Sequence, residues 1–185
     1  MVYPIVVYGS PVLRKVAKEV NKNYPGLDQF VADLWETMYK SDGIGLAAPQ
    51  VGKSIRIFVV DTAEYDDNDP ALKDFKRTFI NPKIIKRDGE ICTLNEGCLS
   101  LPKIREDIER KSRVRIQYYD ENWNLFDEEF DGVKARVIQH EYDHLDGILF
   151  IDHLTPLKKK LLRGKLHDIS KGKVDVDYKI KVLKN

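Results

Sequence analysis

The chain has 185 residues, of which 42% are hydrophobic and 33% charged, with a net charge of +1. That length suits one domain with room for a real core, and no stretch approaches the apolar length of a membrane span. Cys92 and Cys98 could pair, but a lone disulfide would be unusual in a cytoplasmic chain, so both read as thiols. The opening Met1-Val2-Tyr3-Pro4-Ile5 lacks the basic-then-apolar pattern of a secretory leader, which keeps the expectation cytoplasmic.

In chain order, Ser10 as cap and Pro11 at the first position predict a short helix over residues 11–18. Leu27, Phe30, Val31, Leu34 and Met38 fall at helical spacing, so residues 27–40 read as an amphipathic helix ended by Ser41-Asp42-Gly43. Ile55 to Asp61 reads as a strand. The acidic stretch Glu64 to Asp74 has no period and reads as a surface loop. Strands are predicted near 78–91, 113–120 and 124–131, the last two forming a hairpin through the turn at Asp120-Glu121-Asn122. Residues 132–146 read as a helix capped by Asp131. Its Val133, Val137, His140, Glu141 and His144 share one face, beside an apolar face of Ile138, Tyr142 and Leu145, so most of this helix should be buried. A basic helix over 156–169 and an alternating segment from Val174 to Leu183 complete the chain. Strands first and helices late point to an α+β layout, with antiparallel sheets packed around a central helix.

That central helix carries the chemistry. In His140-Glu141-Tyr142-Asp143-His144 the two imidazoles stand one turn apart on the same side, where they can grip one cation. Glu141 points the same way, outside the cation's ligand shell, where it can take a proton from water. The plainer reading is a pair of surface histidines beside a structural glutamate, and burial of the helix weighs against it. For a third ligand, Cys98 in Glu96-Gly97-Cys98-Leu99-Ser100 is the better candidate: a thiolate suits a borderline-soft divalent metal, and Gly97 permits close backbone approach. His153 and His167 read as solvated or hydrogen-bonded residues, and Cys92 as an inert small hydrophobe. Gly43-Ile44-Gly45-Leu46-Ala47-Ala48-Pro49-Gln50 lacks the ending of a phosphate loop. Its small residues let backbone approach a partner, although a tight helix-ending loop explains them nearly as well.

Charge is unevenly spread. From Pro156 onward ten Lys or Arg stand against three Asp, a local +7, while the remainder carries a net −6. A basic tail on an acidic body suggests contact with a polyanion; a solvated helix face is the simpler account of the charge alone.

The segments Gly43 to Gln50, Glu96 to Ser100 and Gln139 to His144, in that order, resemble the three-motif signature of the peptide deformylases. The motifs cover about 20 residues, and the similarity runs from Tyr3 to about Leu166. The resemblance implies hydrolysis of the N-formyl group from the formylmethionine of new polypeptides, by one catalytic domain over 1–185 with 156–185 as a basic extension. It implies that Cys98, His140 and His144 hold one divalent metal per chain, ferrous iron in the cell, replaceable by zinc, nickel or cobalt. Glu141 would be general acid and base. The Gln50 amide and the Leu99 N–H would form the oxyanion hole. Ile44 and Gly45 would align the substrate like an added strand, Arg105 would contact it, and Val137 would help line an apolar methionine pocket with Ile44 and His140. Glu96 and Arg110 would pair to brace the cysteine loop. The partners implied are nascent formylmethionyl polypeptides, and the ribosome through the basic segment; no membrane is implied, and the expected state is a monomer. Two features depart from the familiar bacterial members: the acidic loop is longer, and the end after Leu166 aligns poorly. Arg136 and Val137 fall at variable positions near the methionine pocket.

Overall fold

The structure is a computed structural model that describes residues 1–65 and 69–182. After a two-residue strand β1 (Ile5–Val6), Pro11–Arg14 makes a single 3₁₀ turn rather than the helix expected over 11–18. Lys15 returns to extended backbone, and Lys18 bridges to Ile55 instead of continuing a helix. Helix α1 (Leu27–Lys40) follows the apolar period: Leu27, Phe30, Val31, Leu34 and Met38 are all buried. Leu34 and Met38 are fully enclosed, and burial of one such side chain is worth about 1.5–3 kcal/mol.

The run after α1 is more than a loop. Gly45–Ala47 forms strand β2, and Ala48–Val51 a 3₁₀ turn. Strand β3 (Ile57–Asp61) pairs with β2, placing Leu46 opposite Val59. Within the stretch expected to be a surface loop, Pro70–Lys73 forms a short helix α2, because the Asp69 side chain accepts from the Ala71 N–H and Pro70 presets its first turn.

Strands β4 (Lys76–Gly97), β5 (Arg105–Tyr119) and β6 (Leu125–Asp131) complete a five-stranded sheet of order β2-β3-β4-β5-β6, antiparallel throughout. Strand β4 outruns its predicted end at 91 and continues to Gly97, with register shifts at three points. Such shifts bend a long strand. Its far half pairs Leu94 with Ile108 and Gly97 with Arg105. The β4–β5 hairpin therefore projects a turn, 98–104, beyond the main sheet. The β5–β6 hairpin forms as expected, with Asp120 accepting from the N–H groups of Asn122 and Asn124.

Helix α3 (Gly132–Leu145) packs against β2, β3 and β5. Asp131 stands at the N-cap position, but its side chain makes no capping bond. Ten of the helix's fourteen residues are buried, among them Ala135, Ile138 and Leu145 on the sheet side. Helix α4 (Pro156–Ser170) starts with Thr155 accepting from the Lys158 N–H. It buries Leu162, Leu166 and Ile169 against Leu101, Leu149 and Phe150. The chain then turns at Gly172 (φ 71°) and returns as strand β7 (Ile180–Lys181), shorter than the 174–183 segment anticipated, whose last residue lies outside the described range. Strand β7 pairs with β1 in parallel, a small second sheet beside the expected antiparallel one. Parallel pairing needs a long crossover, and here nearly the whole chain separates the two strands.

Candidate metal and active site

The hairpin turn meets the central helix. Cys98 follows the end of β4, while His140 and His144 lie one turn apart in α3. One ligand atom from each of the three residues lies within 4.8 Å of the others. Cys98 Sγ and His144 Nε2 are 3.3 Å apart, and the two imidazole rings are 5.2 Å apart, nearly perpendicular.

The surroundings orient each donor. His140 Nδ1 lies 2.8 Å from Glu96 Oε2. An ionised carboxylate can only accept, so Nδ1 carries a proton and Nε2 is the nitrogen that could bind a metal. Glu96 is ionised because Arg110 donates to both of its oxygens, at 2.7 and 3.0 Å, and Arg136 donates to Oε1 at 2.8 Å. Burial opposes that charge, but His140 and Arg110 outweigh it and hold the Glu96 carboxyl well below the usual carboxylate range. Arg110 also donates to Asp143 Oδ2 at 2.7 Å, which takes a second bond from His153 Nε2 at 2.9 Å. His153 is thus a hydrogen-bonded support, as the sequence suggested.

Burial holds His144 neutral, the form that ligates a metal. Its Nδ1 has no hydrogen-bond partner among the described residues. At His140 burial alone would disfavour positive charge, yet Cys98 and Glu96 outweigh it. One sulfur and two ring nitrogens converging on one point are a donor set that fits a divalent cation.

Glu141 is buried beside this cluster, and Oε2 has no partner among the described residues. Burial raises its carboxyl to about 7. Strand β2 runs across it so closely that a Cβ on Gly45 would stand 2.6 Å from Glu141 Oε1. Gln50 is held by its carbonyl: Oε1 accepts from the Ala47 N–H at 2.8 Å. The amide nitrogen therefore faces the hairpin turn, 3.5 Å from Cys98 Sγ and 3.3 Å from Ser100 Oγ.

A cavity of about 610 Å³ opens over these groups, and Ile44, Gly45, Leu99, Arg105 and Val137 line it with Glu141. Arg105 reaches the rim with its guanidinium bonded to Asn95, at 2.7 Å to Oδ1 and 3.2 Å to the backbone carbonyl. Strand β2 ends the sheet, so its outer backbone edge has no strand partner among the described residues.

Two residues have roles the sequence reading did not assign. Arg136 belongs to the buried ion cluster: besides Glu96 it donates to the Ile108 carbonyl and to Cys92, at 2.6 Å to the carbonyl and 3.2 Å to Sγ. Cys92 is therefore an acceptor for Arg136 rather than an inert hydrophobe. The spacing of Arg136 to His140, one helical turn on the same face, was the available signal.

Comparison with known proteins agrees with this geometry. The family model for polypeptide deformylase matches residues 2–160. The peptide deformylase of Flavobacterium johnsoniae is 52% identical over 188 residues, covering 98% of this chain and 96% of its own. That of Christiangramia forsetii is 48% identical with the same coverage. The end after Leu166, which departs from the familiar pattern, therefore has counterparts in these relatives. Among solved structures, the Thermotoga maritima peptide deformylase is 44% identical, with a TM-score of 0.75 over 84% of this chain and 99% of that one. A class I type b peptide deformylase from Acinetobacter baumannii, solved with Met-Ala-Ser bound, is 33% identical, with a TM-score of 0.75 over 83% of this chain and 99% of that one. The chain belongs to the polypeptide deformylases, the metal-dependent hydrolases that remove the N-formyl group from the formylmethionine of newly made polypeptides.

Proposed function

We propose that Cys98, His140 and His144 hold one divalent cation, and that Glu141, Gln50 and Leu99 carry out the deformylation beside it. The convergence of three ligand atoms within 4.8 Å, drawn from the hairpin turn and the helix, carries this reading. A bound cation supplies Lewis acidity, which brings water within reach of deprotonation near neutral pH. Glu141, which lines the cavity and whose Oε2 has no partner among the described residues, takes the proton from water and returns it to the departing amide nitrogen. One carboxylate thus serves both steps. The formyl oxygen gains charge as water adds, and the Gln50 amide N–H and the Leu99 backbone N–H donate to it. One such donor is typically worth about 3–4 kcal/mol. The products are formate and a free amino terminus.

The peptide lies along the open edge of β2, hydrogen-bonding to Ile44 and Gly45 as an added strand. The Met-Ala-Ser bound to the Acinetobacter baumannii relative is the kind of peptide this edge accepts. Ile44, Val137 and His140 receive the methionine side chain, and Arg105 contacts the peptide at the rim. Apolar pockets discriminate by only about 1–3 kcal/mol per methylene, so other first residues should be tolerated at reduced rates.

The cation in the cell is ferrous iron, with zinc, nickel or cobalt able to take its place; thiolate and imidazole donors accept all four. The chain works as a cytoplasmic monomer and as one catalytic domain over 1–185. No helix among the described residues is long and apolar enough to cross a membrane. The extension from 156 onward, with lysines at 158, 159 and 160 on α4, docks on ribosomal RNA near the emerging chain. Charge reversal at these three lysines should weaken ribosome co-sedimentation in low salt; unchanged binding rejects the docking. The central test is formate release from formyl-Met-Ala-Ser, with elemental analysis of an anaerobic preparation. A fully metallated sample that hydrolyses the peptide equally well after Gln50→Ala and Glu141→Ala would overturn the assigned roles.

A further inference from the structure

The family model ends at residue 160, yet the chain beyond it returns to the active site. After α4 the backbone reverses at Gly172, where a Cβ would stand 3.2 Å from Val182 Cγ2. Val174, Ile180 and Val182 pack on the cluster that holds Leu162, Leu166 and Ile169. Strand β1 fixes the register, because the Ile5 N–H donates to the Lys179 carbonyl at 2.8 Å and the Val7 N–H to the Lys181 carbonyl at 3.3 Å. That register sets Tyr178 over the hairpin turn, where its hydroxyl donates to the Leu99 carbonyl at 2.9 Å. Tyr8, two residues past strand β1, holds the same turn as well, its N–H donating to the Ser100 carbonyl at 2.9 Å. Val176, Asp177 and Tyr178 line the catalytic cavity.

We propose that residues 174–182 form a strap that positions the Cys98–Leu99–Ser100 turn, with Tyr178 as the positioning residue for Leu99. This rests on the oxyanion role given to the Leu99 N–H. The Leu99 side chain is confined on one side, where a Cβ on Gly43 would stand 3.0 Å from its Cδ1. The Tyr178 bond fixes the carbonyl on the other side. With both held, the residue has little freedom to rotate, and its N–H keeps its direction into the cavity. Without the bond, the turn depends on the Leu101 N–H donating to the Cys98 carbonyl (3.0 Å), the Ile104 N–H donating to the Leu101 carbonyl (3.3 Å), the Tyr8 contact and the Gln50 amide against Ser100 Oγ.

The test compares metal-loaded, full-length parent, Tyr178→Phe and Gln50→Ala on formyl-Met-Ala-Ser. Tyr178→Phe keeps the ring and removes only the donor. The expected result is a kcat about five-fold lower, the size of one ordinary hydrogen bond, with KM within about two-fold and metal content unchanged. An unchanged kcat, with or without a lower melting temperature, overturns the proposal, because a purely structural bond moves stability alone. A higher KM at constant kcat also overturns it, since Tyr178 would then be touching substrate. Full activity in Gln50→Ala would remove the oxyanion reading and this proposal together, whereas a large loss there beside an unaffected Tyr178→Phe removes only the strap.

Discussion

His140 donates its Nδ1–H to Glu96 Oε2 across 2.8 Å of buried space, and Glu96 in turn holds two arginines. The helix and the hairpin are therefore locked together by a charge cluster directly behind the ligand atoms. Outer partners of this kind fix ring orientation and raise ligand basicity.

Replacing Glu96 by Ala leaves Arg110 and Arg136 buried without their shared counter-charge. Breaking a buried pair costs roughly 3–5 kcal/mol, and loss of the histidine's partner lowers metal affinity by about 10–100-fold. Denaturant unfolding of the metallated protein and competition with a chelator measure the two effects. Wild-type values in both would show that the cluster is incidental.

Glu141→Ala should retain the cation, since the glutamate is not among the three residues proposed to hold it. Loss of proton transfer lowers kcat by about 10²–10⁴-fold. Metal analysis alongside formate release checks the pair. Activity within a few-fold of the parent rejects the shuttle.

Cys98→Ala removes one of three donors and should leave metal content well below one ion per chain after dialysis. Elemental analysis decides this, and full occupancy contradicts the ligand set.

Gly45→Ala sets a methyl group 2.6 Å from Glu141 Oε1. The strand or the carboxylate must move, and a shift of about 1 Å in a catalytic group can cost about 10²-fold. We expect that order of loss in kcat at near-normal metal content. A fully active variant would mean that β2 has slack over the carboxylate.

Legibility in the sequence varied with the environment of each segment. Helices α1 and α3 were readable because Leu34, Met38, Ile138 and Leu145 all face a core, and one buried face imposes a period. The end of β4 beyond 91 was not, because its buried member is the charged Glu96 while Cys92 and Leu94 are only half-buried, so no apolar alternation marks the arm that carries Cys98. Three-residue β2 is wholly buried and too short to show any period. His140, His144 and Cys98 were found as a motif, but the bond from Arg136 to Glu96 joins residues 40 apart in sequence. Only the folded hairpin brings these two together. The return of Tyr178 was equally hidden, since its position depends on pairing with strand β1 at the opposite end of the chain.

The sulfur comes from a hairpin tip and the imidazoles from a helix more than 40 residues later. An ion bound by all three is consequently a crosslink between two parts of the chain as well as a reagent. Binding to the folded form alone adds stability by mass action. Scarcity of the ion would therefore both silence the enzyme and loosen the seam between hairpin and helix, shortening the protein's lifetime in the cell.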